Sequence, residues 1–272
     1  MPPIRFTKMH GAGNDFLVID NRHYRLTETE ASDMARVQCT RRVGAGADGL
    51  ILLDSDPATS FSMRHYNPDG TRSSFCGNGA RCIARFAYTH GIAPKDLTFA
   101  ADDGQHGARV EGHSVRLDMT INQQIQMGQE LTVSDTNYML YCIDTGTPHA
   151  VVFSEEVETV SVDAVGRSIR YHPRFDPVGT NVTFVEPVGL GNLNVRTYEK
   201  GVEAETLSCG TGSVAAAVVS TLCGHVAPPV SVMTRGGERL IVDFNMDGSQ
   251  IQDVTLEGSA HIVYHGEIAD TP

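Results

Sequence analysis

The 272-residue chain is poor in positive charge and has no long apolar run. Lys and Arg total 21 against 33 Asp and Glu, which gives a formal net charge of −12 and a pI of about 5.3. Nucleic acids and anionic membranes select basic surfaces, so neither is expected as a partner. No stretch approaches the roughly 18 apolar residues of a membrane span, and the first residues lack a signal-peptide pattern. These absences predict a cytoplasmic protein whose partner is a small molecule.

Lysine is scarce, and the cysteines lack metal-binding or redox spacing. The three lysines, Lys8, Lys95 and Lys200, have no convincing phosphate cradle nearby, so a pyridoxal phosphate Schiff base is not expected. The six cysteines are predicted to be thiols in a reducing compartment, and no two have Cys-x-x-Cys spacing. His10 and His149 have no metal-ligand spacing. No metal or cofactor is therefore predicted.

The most informative feature that is present is an internal repeat with a cysteine in each copy. In each copy a strand-like run ends in Tyr, a polar loop follows, and Cys-Gly-x-Gly opens a helix-like run. The copies are Tyr66-Asn67-Pro68-Asp69-Gly70 with Phe75-Cys76-Gly77-Asn78-Gly79-Ala80, and Tyr198-Glu199-Lys200-Gly201 with Ser208-Cys209-Gly210-Thr211-Gly212-Ser213. The two cysteines are separated by close to half the chain length. The repeat predicts two related domains that turn both thiols toward one pocket.

Hydrophobic patterning predicts mostly strands, with two marked helices. Apolar or alternating runs of strand length lie at residues 4–9, 16–19, 50–53, 61–66, 138–143, 150–153, 181–185, 193–198, 240–244 and 261–264. Hairpin turns are predicted at residues 111–114 and 245–248. Helices are predicted to begin near Cys76 and Cys209, the second so apolar that it should be buried among strands. Weaker helix patterns cover residues 28–39, with a cap at Thr27, and 157–169.

The start of a helix suits a reactive cysteine. Backbone N–H groups and the positive end of the helix dipole stabilise a thiolate there, and they also hold a carboxylate. Glycines after the cysteine let the backbone approach a ligand closely. One thiolate and one thiol on opposite faces of an amino-acid α-carbon can remove its proton and return another without a cofactor. This chemistry is predicted for Cys76 and Cys209, whereas the others are expected to serve packing: Cys39, Cys82, Cys142 and Cys223.

Beyond the repeat, the chain resembles the diaminopimelate epimerase family over nearly its whole length. The motifs that carry the resemblance are Met9-His10-Gly11-Ala12-Gly13-Asn14-Asp15-Phe16, Gly46-Ala47-Asp48-Gly49, Asn67-Pro68-Asp69-Gly70, Cys76-Gly77-Asn78-Gly79-Ala80-Arg81-Cys82, Pro148-His149-Ala150-Val151, Thr180-Asn181-Val182, and Tyr198-Glu199-Lys200-Gly201 through Glu205-Thr206 to Cys209-Gly210-Thr211-Gly212. The resemblance implies an α/β (α+β) fold of two pseudo-symmetric domains. Each is a curved, mostly antiparallel sheet wrapped around a central helix, with the active site in the cleft between domains. The expected domains are residues 1–118 with a C-terminal return at 264–272, and residues 119–263.

The resemblance also implies a function and a set of site residues. The function is the interconversion of LL- and meso-diaminopimelate in lysine synthesis, by an isomerase that needs no pyridoxal phosphate and is often dimeric. Cys76 and Cys209 would be the two acid–base groups. The other implied site residues are the amides of Gly77, Asn78, Gly210 and Thr211 for the reacting carboxylate, Asn14, Asn67 and Asn181 for other parts of the substrate, Glu199 and Lys200 for its distal end, and His149 at the border.

The residues taken alone leave several readings open. Asn67 could merely shape a turn, Asn14 and Asn181 could satisfy backbone groups, and Glu199 with Lys200 could be a solvated pair. Two departures from the family are Lys200 in place of the usual Arg, and Thr147 in place of the usual Asn before proline. Lys keeps the charge but loses the two-pronged carboxylate fork of Arg.

Two other functions compete with the epimerase reading. One is another two-cysteine racemase of the same fold, acting on proline, hydroxyproline or histidine. Glu199 with Lys200 favours a substrate with a second zwitterionic end, which proline lacks. The other is a thiol redox switch, in which Cys76 and Cys209 would oxidise to a disulfide and no amino acid would exchange its α-proton.

Overall fold

Two units of the chain each gather their own strands and helices. The computed structural model describes residues 3–133, 135–248 and 250–269. One unit contains the described residues up to Leu117 and from Gly258 onward, and the other runs from Asp118 to Glu257. The first boundary thus falls beside the one expected from the sequence. The second falls at 258 rather than at 264, and the pairing of the last strand supplies the reason.

Most of the regular secondary structure in both units is β-strand. They are β1 (Ile4–Gly11), β2 (Asn14–Asp20), β3 (Gly49–Asp54), β4 (Phe61–Tyr66), β5 (Arg72–Ser73), β6 (Asp96–Ala101), β7 (Gly104–Glu111), β8 (Ser114–Asp118), β9 (Gln126–Val133), β10 (Thr136–Asp144), β11 (Pro148–Phe153), β12 (Asn181–Pro187), β13 (Asn192–Glu199), β14 (Ala204–Thr206), β15 (Val230–Met233), β16 (Arg239–Asp247), β17 (Gln250–Ser259) and β18 (His261–Ile268). The helices are α1 (Asn21–Tyr24), α2 (Glu28–Gln38), α3 (Gly77–Thr89), α4 (Val162–Arg170) and α5 (Gly210–Leu222), with short 3-10 turns at Val157–Thr159 and Pro173–Phe175. Each of the ten predicted strands lies within an observed one, so those predictions are confirmed.

The two units repeat one pattern of strand pairing. In the first, β18, β1 and β2 pair antiparallel, β2 and β3 parallel, β3 and β4 antiparallel, and β4 takes β5 antiparallel and β6 parallel, before β7 and β8 complete a meander. In the second, β9 through β17 follow the same sequence of pairings, with β14 and β15 on β13. The repeat seen around the cysteines therefore extends over each whole unit.

The last strand explains where the chain returns to the first unit. All of β18 pairs with β1, from His261 opposite His10 to Ile268 opposite Ile4. In the first unit β18 occupies the position that β9 occupies in the second, where β9 pairs with β10. A strand must join its sheet over its full hydrogen-bonded length, so the return precedes residue 261. The sequence pattern of β18 reveals a strand but not its partner, which is why residues 261–263 were expected in the wrong domain.

Each unit is layered around a buried helix. Residues Val214–Val219 of α5 are fully buried and pack against the inner faces of β10, β11, β12, β13, β15, β16 and β17. On the opposite face of the second sheet, Val162 and Ile169 of α4 pack with Val182 and Phe184. In the first unit α2 does the same with Met34 and Ala35, while α3 lies on the inner side. Helices on both faces explain why β3 and β12 are buried without alternation.

One local prediction was wrong and another was displaced. Residues 157–169 do not form one helix, because the carbonyls of Val157, Glu158 and Val160 accept hydrogen bonds from the Arg196 guanidinium instead of from the next helical turn. The hairpin predicted after residue 244 is present as β16 and β17, but strand pairing continues to Asp247 opposite Gln250, so the turn comes later than 245–248. The N-cap predicted at Thr27 is confirmed as a capping box.

Among the described residues, none of the helices is long and apolar enough to cross a membrane.

Candidate active site

The two cysteines of the repeat occupy the same position on equivalent helices. Cys76 is the N-cap residue of α3 and Cys209 is the N-cap residue of α5, both with extended backbone. The first N–H groups of a helix have no acceptor inside the helix, so each sulfur lies where backbone donors and the positive dipole end converge. The predicted helix starts are confirmed. The side chains around the two cysteines differ, however, and they are described separately as the Cys76 cluster and the Cys209 cluster.

The Cys76 cluster (Cys76, Asn14, Asn78, Arg81 and Asp48) is a line of hydrogen bonds between two charges. The Cys76 thiol, which is half-buried, donates to Asn14 Oδ1 over 3.6 Å. Asn78 Nδ2 donates to the same oxygen over 3.3 Å, and Arg81 Nη2 donates to Asn78 Oδ1 over 2.7 Å. Asn14 Nδ2 donates in turn to Asp48 Oδ2 over 2.9 Å.

The end charges decide which way both amides point. A guanidinium only donates and a carboxylate only accepts, so Asn78 must face Arg81 with its oxygen and Asn14 must face Asp48 with its nitrogen. Asn14 Oδ1 is then left toward Cys76 as an acceptor. Arg81 is fully buried in α3, and its Nε also donates to the Ser259 carbonyl over 3.4 Å. Arg81 thus ties the amides beside the cysteine to the last residue of β17, two residues before β18 begins.

Replacing Arg81 with Met is expected to lower kcat/KM for the proposed reaction by about 100-fold, because misplacing a catalytic group by about 1 Å costs that much. The buried acceptors that lose their donor should also cost about 1–3 kcal/mol of unfolding free energy each. Arg85→Met is the matched control: Arg85 lies one turn further along α3 and donates to the Ala260 carbonyl, outside the Cys76 cluster. Steady-state kinetics and urea unfolding measure both quantities. Equal losses of activity in two variants of equal stability would show that Arg81 has only a structural role.

Asn67 lies in a turn next to the first cysteine loop. Its backbone N–H donates to the Thr71 carbonyl over 2.8 Å, and its side chain donates to the Thr71 hydroxyl over 3.0 Å. Gly70 completes this turn with a positive φ of 81°, a conformation that favours glycine. The observed contacts of Asn67 are therefore those of a residue that shapes a turn. Its role toward a substrate stays a prediction.

The Cys209 cluster (Cys209, Glu199, Thr211, His149 and Asn181) is more deeply buried. Cys209 Sγ lies 3.5 Å from Thr211 Oγ1, and it makes hydrogen bonds with the Glu199 carboxyl and the Gly212 backbone N–H. Burial, followed by the Glu199 charge, raises the pKa of the Cys209 thiol well above its usual value, while Thr211 and Gly212 oppose the rise. Burial also raises the pKa of Glu199. Cys209 is therefore a protonated thiol with a carboxyl group as its partner.

His149 joins Cys209 to Asn181 and Lys200. Its Nε2 lies 3.0 Å from Thr211 Oγ1 and 3.4 Å from Asn181 Nδ2, and the Lys200 backbone N–H donates to Asn181 Oδ1 over 2.8 Å. Burial, with a smaller contribution from the Lys200 charge, lowers the pKa of His149 to about 3, so the ring is neutral. His149 was expected to border the site, and here it contacts a member of the cysteine loop. Lys200 Nζ itself points away to the Val178 carbonyl, 3.3 Å distant.

The glycines after Cys209 allow close packing of α5. A Cβ on Gly212 would lie 3.0 Å from both Thr183 Oγ1 and Thr197 Oγ1, tighter than ordinary van der Waals contact. A Cβ on Gly210 would lie 2.9 Å from the Leu256 side chain. The Cys-Gly-x-Gly pattern thus brings the helix start against the buried hydroxyl groups that surround His149.

The contacts of some predicted site residues differ from those that their expected roles would suggest. Glu199 was expected at the distal end of a substrate, yet its carboxyl contacts the Cys209 thiol. Arg81 and Asp48 carry no predicted role, although both lie in quoted motifs. A charged residue within an apolar helix face was the available signal for Arg81. Of the remaining cysteines, Cys39 and Cys82 are buried as expected for packing, and Cys142 and Cys223 are half-buried.

Comparison with solved structures defines the class of fold. A probable proline racemase from Agrobacterium radiobacter matches with a TM-score of 0.72 and 16% identity, over 98% of this chain and 93% of that one. A phenazine biosynthesis protein of the PhzF family from Bacillus anthracis matches with a TM-score of 0.76 and 13% identity, over 99% and 100%. At these identities the likeness concerns the fold alone. The chain has this two-unit fold, with a cysteine capping the central helix of each unit.

Sequence comparison identifies the family within that class. The family model described as diaminopimelate epimerase matches residues 6–125 and 141–263. A protein named diaminopimelate epimerase from Aquifex aeolicus is 42% identical over 278 residues, which covers 98% of this chain and 98% of that protein. The chain belongs to the diaminopimelate epimerase family. The resemblance drawn from the motifs and the predicted fold class are thereby confirmed.

Proposed function

We propose that this chain interconverts LL- and meso-diaminopimelate without pyridoxal phosphate, using Cys76 and Cys209 as a thiol pair. The observation that carries the proposal is the position of both cysteines as N-caps of equivalent helices in a chain of this family. The activity belongs to lysine synthesis, as the family name implies. By analogy with the family, the proposal includes a cytoplasmic location and a homodimer, which light scattering of the purified protein would test.

The chemistry is a proton exchange at one carbon. A thiolate takes the α-proton from one face of the substrate and becomes a thiol, leaving a carbanion. The thiol of the other cysteine gives its proton to the opposite face and becomes the thiolate. Atoms and charge balance, and the two sulfurs have exchanged protonation states. The raised pKa of Cys209 supports its role as the donor in the direction that starts from its thiol form.

Substrate carboxylate binding would use the two helix starts. The amides of Gly77 and Asn78 and those of Gly210 and Thr211 are proposed to hold the reacting carboxylate, because N–H groups at a helix N-terminus bind anions. These donors would also stabilise charge that develops toward the carboxylate in the carbanion. Asn14, Asn67, Asn181 and Lys200 are proposed to hold the rest of the substrate.

A redox switch fits the Cys209 cluster less well. Redox-sensing cysteines combine a low pKa with exposure to solvent. Cys209 is buried, and its pKa is raised by burial and by Glu199. This thiol is therefore protected from oxidants at neutral pH, which favours acid–base use.

Solvent isotope exchange tests the proposed function. The purified chain is incubated in D₂O with LL-diaminopimelate and, separately, with proline, hydroxyproline and histidine, and α-deuteration is followed by NMR. Deuterium is expected at the α-carbon of diaminopimelate only, together with formation of the meso isomer. Exchange into proline or hydroxyproline alone would assign the chain to the racemase alternative. Absence of exchange with all four compounds would remove the epimerase proposal.

A further inference from the structure

The Cys209 cluster contains a series of hydrogen bonds with a definite direction. The Lys200 backbone N–H can only donate, so Asn181 Oδ1 is the acceptor at 2.8 Å and Asn181 Nδ2 faces the other way. That nitrogen lies 3.3 Å from Thr147 Oγ1, 3.3 Å from the Pro148 carbonyl and 3.4 Å from His149 Nε2. We assign the proton of the neutral His149 ring to Nδ1, which leaves Nε2 as an acceptor facing both Asn181 and Thr211.

The tautomer of His149 then sets the hydroxyl groups on both sides. Nδ1–H donates to Thr183 Oγ1 over 3.1 Å, and Thr183 lies 3.3 Å from Thr197 Oγ1. On the other side Thr211 Oγ1 lies 3.0 Å from Nε2, so the Thr211 hydroxyl donates its single proton to His149. The lone pairs of Thr211 Oγ1 remain directed toward Cys209 Sγ at 3.5 Å. In this state the Cys209 thiol donates its single proton to the Glu199 carboxylate, and no proton lies between Thr211 Oγ1 and the sulfur.

When Cys209 is a thiolate, Thr211 must donate a hydrogen bond to the sulfur, because a sulfur anion only accepts hydrogen bonds. Thr211 can supply it by rotating about its Cβ–Oγ1 bond, which moves the hydroxyl proton from His149 to the sulfur. His149 Nε2 does not lose every donor, since Asn181 Nδ2 still lies 3.4 Å away. All buried groups of the cluster can thus be satisfied in both protonation states of the cysteine.

We propose that the Thr211 hydroxyl is a positioning residue that follows the protonation state of Cys209, donating to His149 when Cys209 is a thiol and to the sulfur when it is a thiolate. The inference rests on the proposed function, which requires Cys209 to alternate between these states. No bond to carbon involves Thr211: the proton lost by the thiol goes to the substrate carbanion, and the hydroxyl proton stays on its oxygen.

The groups around Cys209 act in opposite directions. Glu199, from the end of β13, favours the thiol, and the Gly212 N–H of α5 favours the thiolate. His149, from β11, is neutral, and Lys200 acts on His149. Thr211 is the member of this set that can reverse its hydrogen bond by a single-bond rotation. The hydrogen bond of the Thr211 hydroxyl is therefore the one that changes when Cys209 gains or loses its proton.

The equivalent position in the Cys76 cluster cannot do this. Asn78 occupies the same place in Cys-Gly-x-Gly, but Arg81 fixes its oxygen and Asn14 receives its nitrogen. Reversal of that amide would set its nitrogen against a guanidinium. A rotating hydroxyl is thus present only beside Cys209 of the two cysteines. At the equivalent position beside Cys76, Asn78 is held in one orientation.

Alkylation of Cys209 as a function of pH tests the inference without using activity. The full-length Thr211→Val variant keeps the side-chain shape and the backbone amide but loses the hydroxyl, and Thr211→Ser restores a hydroxyl. Each is treated with iodoacetamide between pH 7 and 11, and peptide mass spectrometry follows Cys209. The Val variant is expected to raise the pKa of Cys209 by about one, which slows alkylation below that pKa about tenfold, because a donor to the charged form is lost. The Ser variant should return toward the wild-type profile.

The outcomes separate this inference from the proposed function. Wild-type alkylation profiles in the Val variant, or equal shifts in the Val and Ser variants, would overturn the role of the hydroxyl. If the Val variant fails to fold, as judged by circular dichroism, Thr211→Ala takes its place in the comparison with Ser. If the wild-type chain shows no isotope exchange, the epimerase proposal is wrong. The alkylation profiles would still test whether the Thr211 hydroxyl stabilises the Cys209 thiolate. A kcat that falls with KM nearly constant in the Val variant would add support from catalysis.

Discussion

Changing Cys76 or Cys209 to Ala is expected to reduce kcat/KM for diaminopimelate epimerisation by about four orders of magnitude, the upper range for loss of a general acid or base. Each variant lacks either the group that removes the α-proton or the group that returns one, so both directions of epimerisation fail together. The fold should survive, because Ala keeps the Cβ atom at each helix start and Cys76 makes no side-chain capping bond. Coupled assay of meso-diaminopimelate formation and circular dichroism measure the two effects.

Cys223→Ala is the matched control for this experiment. Cys223 caps the other end of α5 and lies among core residues of the second unit, away from the helix start. The Cys223→Ala variant is expected to keep kcat/KM within about threefold of the wild-type value, because it removes only a small packing contact. Epimerisation at the wild-type rate by either the Cys76 or the Cys209 variant would refute the two-base assignment. One residual reaction is compatible with it, namely slow elimination of a leaving group from one substrate face in a single variant.

Changing Glu199 to Gln is expected to give two effects of opposite sense. The Glu199 charge and hydrogen bond raise the pKa of Cys209, so their removal should lower that pKa and speed alkylation of Cys209 at a given pH. Catalysis should nevertheless fall by about 100-fold, because Gln no longer holds Cys209 as the thiol that gives its proton to the carbanion. Iodoacetamide profiles and steady-state kinetics of the same preparation report the two effects.

Glu203→Gln is the control for Glu199. Glu203 lies in the same loop, but its carboxyl bonds the Gly201 N–H and the Arg170 guanidinium rather than a cysteine. It should leave the alkylation profile of Cys209 unchanged. A Glu199 variant in which alkylation slows would contradict the assigned contact. A variant in which alkylation quickens and activity is retained would show that Glu199 modulates the thiol pKa but is not needed for catalysis.

Much of the fold could be predicted because its signals are local. The run that forms β3 is continuously apolar and the α5 run is apolar nearly all round, so strand and helix type follow from neighbouring residues. β9 was missed because it is mostly exposed and buries only Leu131, which leaves no periodic pattern to detect. Residues 157–169 were misassigned because their carbonyls bind Arg196, a residue distant in sequence.

The candidate site also has a part that local sequence predicts and a part that it does not. The sequence alone determined that Cys76 and Cys209 cap two helices, since glycine spacing and apolar periodicity are read within a few residues. Tertiary structure decided which side chains surround each sulfur: Arg81 acting through Asn78 in one unit, and Glu199 with Thr211 in the other. It also decided that β18 completes the first sheet. These features depend on burial and on hydrogen-bond partners far apart in the chain, so no local pattern encodes them.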